Sequence, residues 1–208
     1  MKNSPLQFLI LISTVLIFSA CTTTGSSTKT PTETPTKTPT LSVTNKPPVV
    51  DSEKLYKQGI ELYNQKYYLQ AAQKFRQAAK QNHAEAQFKL AGMYFDGKGV
   101  GKDLNQTQKW YHKAAKLGHL EAQVKLANLY RFGASGVSKD IAKAMEWYKK
   151  AAEQNSVDAQ LILGVMYYKG TEIKQDLQQA KKWLSLAAKQ GNEDAISILE
   201  QVKMDLGE

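Results

Sequence analysis

The chain has 208 residues and a single cysteine, Cys21, so it cannot close an internal disulfide, and disulfide usage says nothing about its compartment. It lacks an apolar run of the roughly 20 residues that a membrane-spanning helix needs. Its apolar segment, Leu6 to Phe18, is shorter than that and is interrupted by Gln7, Ser13 and Thr14. It also lacks a compact block of basic residues. A net charge of +9 would permit anionic partners, yet Lys and Arg are spread along the chain, and residues 51–208 carry 24 of them against 18 Asp and Glu. That balance reads as a solvated helical surface, and with no nucleic-acid motif present, nucleic acid is not an expected partner. H-E-x-x-H, G-x-S-x-G and C-x-x-C are missing as well. His83, His112 and His119 are not grouped with other ligand types at metal spacing, so no metal, cofactor or catalytic residue is expected.

What is present begins with an address. Lys2, the apolar segment and the small residues Ser19 and Ala20 follow the plan of a secretory signal. The residues that end it, "FSAC" at 18–21, resemble the lipobox of bacterial lipoproteins, with Phe18 where leucine is commonest. The resemblance implies a signal peptide over 1–20 and a mature N-terminus at Cys21, lipidated on its sulfur and amine. Several acyl chains at about 0.8 kcal/mol per buried methylene make such an anchor essentially permanent. Thr22 follows, not the aspartate associated with inner-membrane retention. In a Gram-negative cell the implied location is the outer membrane, facing the periplasm. Residues 22–50 are Thr- and Pro-rich, with Thr-Pro recurring at Pro31, Pro35 and Pro39. They have too few large apolar groups to offset chain entropy, and 21–50 is read as a lipidated, disordered tether. The S-x-x-K at Ser26–Lys29 falls in this segment, where no rigid helix start is expected, and is read as chance.

From residue 51 the chain repeats. "AEAQFKLAGMYFDGKG" at 84–99 returns as "LEAQVKLANLYRFGASG" at 120–136 and "VDAQLILGVMYYKGTE" at 157–172. Trp110, Trp147 and Trp183 recur in step, within "WYHKAAKLGH", "WYKKAAEQNS" and "WLSLAAKQGN". Each unit reads as two helices. Leu90, Ala91 and Tyr94, with their copies Leu126, Ala127, Tyr130 and Leu163, Gly164, Tyr167, mark one face of the first. Leu104, Thr107, Tyr111 and Ala114 mark the second. Asp103, Asp140 and Asp176 are predicted N-caps, with Gln106 and Gln179 suited to a capping box. Asn82, Gly118, Asn155 and Gly191 suit the left-handed position that ends a helix. "GKGVGKD" at 97–103 lacks the first glycine and the final Ser/Thr of a phosphate loop and is read as an inter-helix turn.

The A-x-x-x-L-[GA]-x-x-Y opening, the Gly-rich turn, the V-x-x-D cap and the A-x-x-W-Y-x-x-A-A second helix resemble the Sel-one-like repeats, relatives of the tetratricopeptide repeat. The resemblance implies an all-α fold, a right-handed α-solenoid of antiparallel helix pairs after a disordered linker. It divides the chain into a tetratricopeptide-like repeat at 51–83, Sel-one-like repeats at 84–119, 120–155 and 156–192, and a capping helix and tail at 193–208. Envelope members of the family are often adaptors, so a protein or peptide partner is the implied ligand, bound on the concave face of the first helices. Tyr56, Tyr63, Phe95, Asn128, Arg131 and Tyr168 lie on a second stripe of those helices and are the candidate partner-binding residues. Two other readings stay open at this point. An enzyme acting on cell-wall or β-lactam substrates predicts a nucleophile and base converging in the groove, and the sequence supplies no obvious pair. A glycan- or peptidoglycan-binding module would use the aromatic stripe.

Overall fold

The computed structural model describes residues 51–134 and 136–208, and the structural statements that follow concern those residues. The signal segment 1–20, Cys21 and the tether lie outside the described residues. The described chain forms nine helices: α1 (Ser52–Asn64), α2 (Tyr68–Lys80), α3 (Ala84–Asp96), α4 (Leu104–Lys116), α5 (Leu120–Phe132), α6 (Ile141–Glu153), α7 (Val157–Lys169), α8 (Leu177–Lys189) and α9 (Glu193–Leu206). Each packs on its neighbours in the chain, and α7 also touches α9. This is an all-α solenoid of antiparallel helix pairs, closed by α9. No described strand exists; an isolated bridge joins Ala134 and Val137 in the turn after α5. No described helix is long and apolar enough to cross a membrane.

The first eight helices are all 13 residues long, about 20 Å at 1.5 Å per residue, because the boundaries repeat as strictly as the faces. Asp103, Asp140 and Asp176 cap α4, α6 and α8, accepting the backbone N–H of Gln106, Lys143 and Gln179 at 3.0, 2.9 and 2.9 Å. The reciprocal half of the expected capping box does not form. The N–H groups of the three aspartates donate instead to the carbonyls of Tyr94, Tyr130 and Tyr167 at 3.0, 2.7 and 3.0 Å. A cap residue whose N–H already closes the turn onto the preceding helix has nothing left for a glutamine side chain to accept. At the other boundary, Asn82, Gly118, Asn155 and Gly191 adopt φ of 61, 87, 64 and 83°, the left-handed position expected of them.

The core is made of small residues against large ones. Leu90, Leu126 and Leu163 are wholly buried with Ala86, Ala122 and Ala159, and the three tryptophans are buried to within 7% of full coverage. Gly99, at φ 69°, is fixed by packing: a Cβ there would lie 2.2 Å from the backbone carbon of Tyr68. The turn of one repeat thus rests on the first helical residue of the preceding α2.

Between repeats runs a row of buried glutamines. Gln87, Gln123 and Gln160 send Nε2 back to the carbonyls of Ala79, Ala115 and Ala152, at 3.0, 3.2 and 3.0 Å. The Oε1 atoms of Gln123 and Gln160 accept from Gln154 and Gln190 at 2.7 and 2.8 Å. Gln87 Oε1 is buried without a partner, because the residue in the matching place is Leu117, itself 50% exposed. Leu117→Gln should complete the row and remove an exposed leucine, raising stability by about 1 kcal/mol. Thermal unfolding should move up by about 2–4 °C; an unchanged melting curve would show that water already serves this acceptor. Gly99→Val, forced into the Tyr68 backbone at positive φ, should lower stability by about 3 kcal/mol in the same assay.

Candidate functional site

The odd-numbered helices carry all six candidate partner residues, but the structure assigns them different work. Tyr56 is half-buried, its ring 5.9 Å from that of Phe75 and stacked on His83 at 4.8 Å. His83 caps α3 through Nδ1, which accepts the Ala86 N–H at 3.2 Å, while Nε2 lies 3.0 Å from Glu53 Oε2. The hydrogen bond from His83, and then that from Lys57, holds the Glu53 carboxyl below the ordinary carboxylate range. The next repeat copies the arrangement: Phe88 stacks on His119 at 4.4 Å, and His119 Nε2 lies 3.2 Å from Glu85. This row splices one repeat to the next.

Arg131 is engaged as well. Its Nε lies 2.7 Å from Glu172 Oε2, with Lys139 3.5 Å from the other oxygen. Glu172 stands in the turn after α7, where the repeat pattern has glycine in the two earlier units (Gly99 and Gly136). Two departures from the repeat, 41 residues apart, thus answer one another across an inter-repeat seam. At the far end Tyr168 interacts with Asp205 of α9; burial, then that hydrogen bond, raises its hydroxyl pKa.

Tyr63, Phe95 and Asn128 open onto space. Tyr63 meets Tyr68 edge-on at 5.1 Å and lines a cavity of about 320 Å³ between α1 and α3, with Ile60, Phe88, Gly92 and Asp96. Phe95 and Asn128 share a second cavity, of about 330 Å³, between α3 and α5, with Tyr111, Lys125 and Phe132. These volumes sit at the low end of the range for ligand sites. The second cavity is edged by two exposed aromatics, Phe95 at 45% and Phe132 at 67%.

Tyr111 lines the second cavity, and the residue below its hydroxyl, Gly92, lines the first. In the following repeat the Tyr148 hydroxyl donates to Asn128 Oδ1. At the equivalent position below Tyr111 stands Gly92, which has no side chain to offer, and a Cβ there would lie 3.9 Å from Tyr111 Oη. Burial pushes the Tyr111 hydroxyl up to about 12, so it stays protonated and able to donate. Lys125 forms no ion pair among the described residues and is exposed at the rim. Sequence reasoning missed Phe132 and Lys125 and took Tyr111 for core alone. The signal for Phe132 was its place in the last turn of α5, one residue past the stripe that was read.

The arrangement suits holding an apolar side chain, with a donor and a cation beside it. The carboxylate in the first cavity, Asp96, is 3.1 Å from Lys98. Neither cavity is lined by a serine, cysteine or histidine, and no cluster of three or more metal-ligating side chains occurs among the described residues.

Paired 13-residue helices, a small-against-large seam and cavities between successive first helices define a repeat solenoid. The family model of the Sel1 repeat matches residues 84–119, 120–156 and 157–192, and the chain belongs to the Sel1 repeat family. Among solved structures it resembles a Sel1 repeat protein from Oxalobacter formigenes at 31% identity and TM-score 0.64, over 73% of this chain and 63% of that one. It also resembles c5321, a protective antigen of uropathogenic Escherichia coli strains, at 30% identity and TM-score 0.65, over 76% of this chain and 35% of that one. The chain thus spans less than two thirds of either relative's length. No curated protein matches it in sequence.

Because Arg131 and Glu172 are mutually engaged, replacing either by alanine should cost about 1 kcal/mol, and the double variant should cost measurably less than the sum. Strict additivity in denaturant titrations would show the pair to be idle.

Proposed function

We propose that this chain is a membrane-anchored envelope lipoprotein that acts as an adaptor, holding a partner protein on the inner face of its repeats. The observation that carries the reading is the aromatic-edged cavity between α3 and α5. Exposed Phe95 and Phe132 flank it, Tyr111 lines it with a protonated hydroxyl, and Lys125 stands at the rim without an ion pair among the described residues. Rigid aromatic edges around a small pocket are the features from which interface hot spots are built. The fitting partner is a peptide segment that inserts one aromatic or aliphatic side chain and sets an acidic residue near Lys125. Tyr63 extends the surface toward the first repeat. Tyr56, Arg131 and Tyr168 support it from within the seams and are read as its frame. The anchor rests on the "FSAC" junction, with Cys21 as the lipidated residue and the Thr/Pro-rich segment as the spacer that gives the repeats reach. In a Gram-negative cell this places them in the periplasm, on the outer membrane.

Two experiments test the halves of the proposal separately. Cys21→Ser should leave the protein unlipidated and shift it from the membrane to the soluble fraction; continued membrane residence would sink the anchor. Crosslinking in the envelope followed by purification should recover a partner that Phe95→Ala with Phe132→Ala loses by at least about tenfold, with thermal stability retained. If that variant keeps every partner, the cavity is not the binding face.

A further inference from the structure

Half of the basic residues that looked scattered along 51–208 fall in one layer of the fold. The four even-numbered helices, α2, α4, α6 and α8, carry 12 Lys and Arg and only 2 Asp and Glu within their spans. The five odd-numbered helices carry 7 and 10. The solenoid is therefore two-faced in charge, with the layer opposite the candidate partner cavities strongly cationic. The N-cap aspartates stand at one edge of this layer, and of its basic residues only Lys143, with Asp140, and Lys181, with Glu208, form ion pairs among the described residues. Arg76 donates to the Tyr94 hydroxyl at 2.9 Å. Lys113, Lys150 and Lys182 lie over the faces of Trp110, Trp147 and Trp183, at 4.5, 4.3 and 5.0 Å. Lys113 and Lys150 stand three residues after their tryptophans and Lys182 one before; each buried indole holds an exposed ammonium group at the surface.

We propose that the even-numbered layer is a docking face for an anionic phospholipid bilayer. Charge complementarity selects the occupant. A layer of largely unpaired cations spread over four repeats presents many weak contacts to a two-dimensional array of phosphates. Each lysine held near an anionic bilayer adds roughly fivefold to binding, and the term is screened by salt. The inference rests on the envelope reading for its biological setting. With the even layer against the membrane, the cavity between α3 and α5 is turned away from the bilayer, toward a partner, and the tether supplies the slack that such a docking requires.

The test uses the full chain carrying Cys21→Ser, so that lipid attachment contributes nothing. Sedimentation with vesicles of phosphatidylcholine mixed with phosphatidylglycerol, compared with phosphatidylcholine alone, isolates the charge-dependent part of any binding. The protein should favour the anionic vesicles, and added salt should abolish the preference. Lys80, Lys109, Lys116 and Lys189, all exposed and without ion pairs among the described residues, are on the even layer. Changing all four to glutamine should weaken binding at least roughly tenfold. Changing Lys54, Lys57, Lys89 and Lys125 of the odd helices to glutamine alters net charge equally and should leave most of the binding intact. The proposal is overturned if the two vesicle types bind alike, or if the two quadruple variants lose binding equally. Tighter retention by duplex DNA than by the anionic vesicles would overturn the lipid assignment in favour of a nucleic acid. None of these outcomes bears on whether Cys21 is lipidated in the cell, so the anchor and the docking face stand or fall separately.

Discussion

The structure depends on one steric condition: the two helices of each repeat must approach until a large side chain packs directly on a glycine or alanine of the first helix. A Cβ added to Gly59 would lie 2.6 Å from Phe75, and one added to Gly164 would lie 2.5 Å from Leu184. Ala91 and Ala127 occupy the same position in the middle repeats and are completely buried. Close approach at this row sets the distance between layers. That distance brings the tyrosine carbonyls of the odd helices within reach of the N-cap aspartates and lets the glutamine row bridge one repeat to the next. With no disulfide available to enforce the geometry, packing and these buried hydrogen bonds define it.

One row of positions on the odd helices closes the contact to the partner helix in some repeats and leaves it open in another. At the position after the small residue the chain carries Ile60, Gly92, Asn128 and Val165, against Phe75, Tyr111, Tyr148 and Leu184 on the partner helices. The residues of the first and last pairs are all apolar. Asn128 accepts the Tyr148 hydroxyl and closes its repeat. Gly92 supplies neither bulk nor acceptor, and the cavity between α1 and α3 lies there. A cavity appears where a strict repeat leaves one place unfilled. The same logic in reverse explains Arg131 and Glu172, two departures from the repeat that cancel by pairing.

Charge follows the layers. The odd helices mix acids and bases in register, with Glu53 and Glu85 engaged by the capping histidines of the next repeat. The even helices keep their cations largely unpaired, several resting on buried indoles. In the proposed docking, this separation of charge turns the even layer toward the bilayer and leaves the odd layer for a partner.

Much of the architecture was legible in the sequence, because a solenoid is built from local rules applied at a fixed interval. The helix pairs, the left-handed terminators at Asn82, Gly118, Asn155 and Gly191, and the three aspartate caps all depend on residues within a few positions of one another. The capping box was misjudged because the N–H of each capping aspartate is claimed by a carbonyl from another helix, which no local pattern reveals. The stripe of candidate residues was legible as a stripe; which of its members face open space was not. Tyr56, Arg131 and Tyr168 are occupied by His83, Glu172 and Asp205, contacts made across repeats. Periodicity by itself determined the fold, because the interactions that build it recur with the chain. Only the tertiary structure decided where the cavity opens and which layer is basic, since both arise from residues far apart in the chain and adjacent in space.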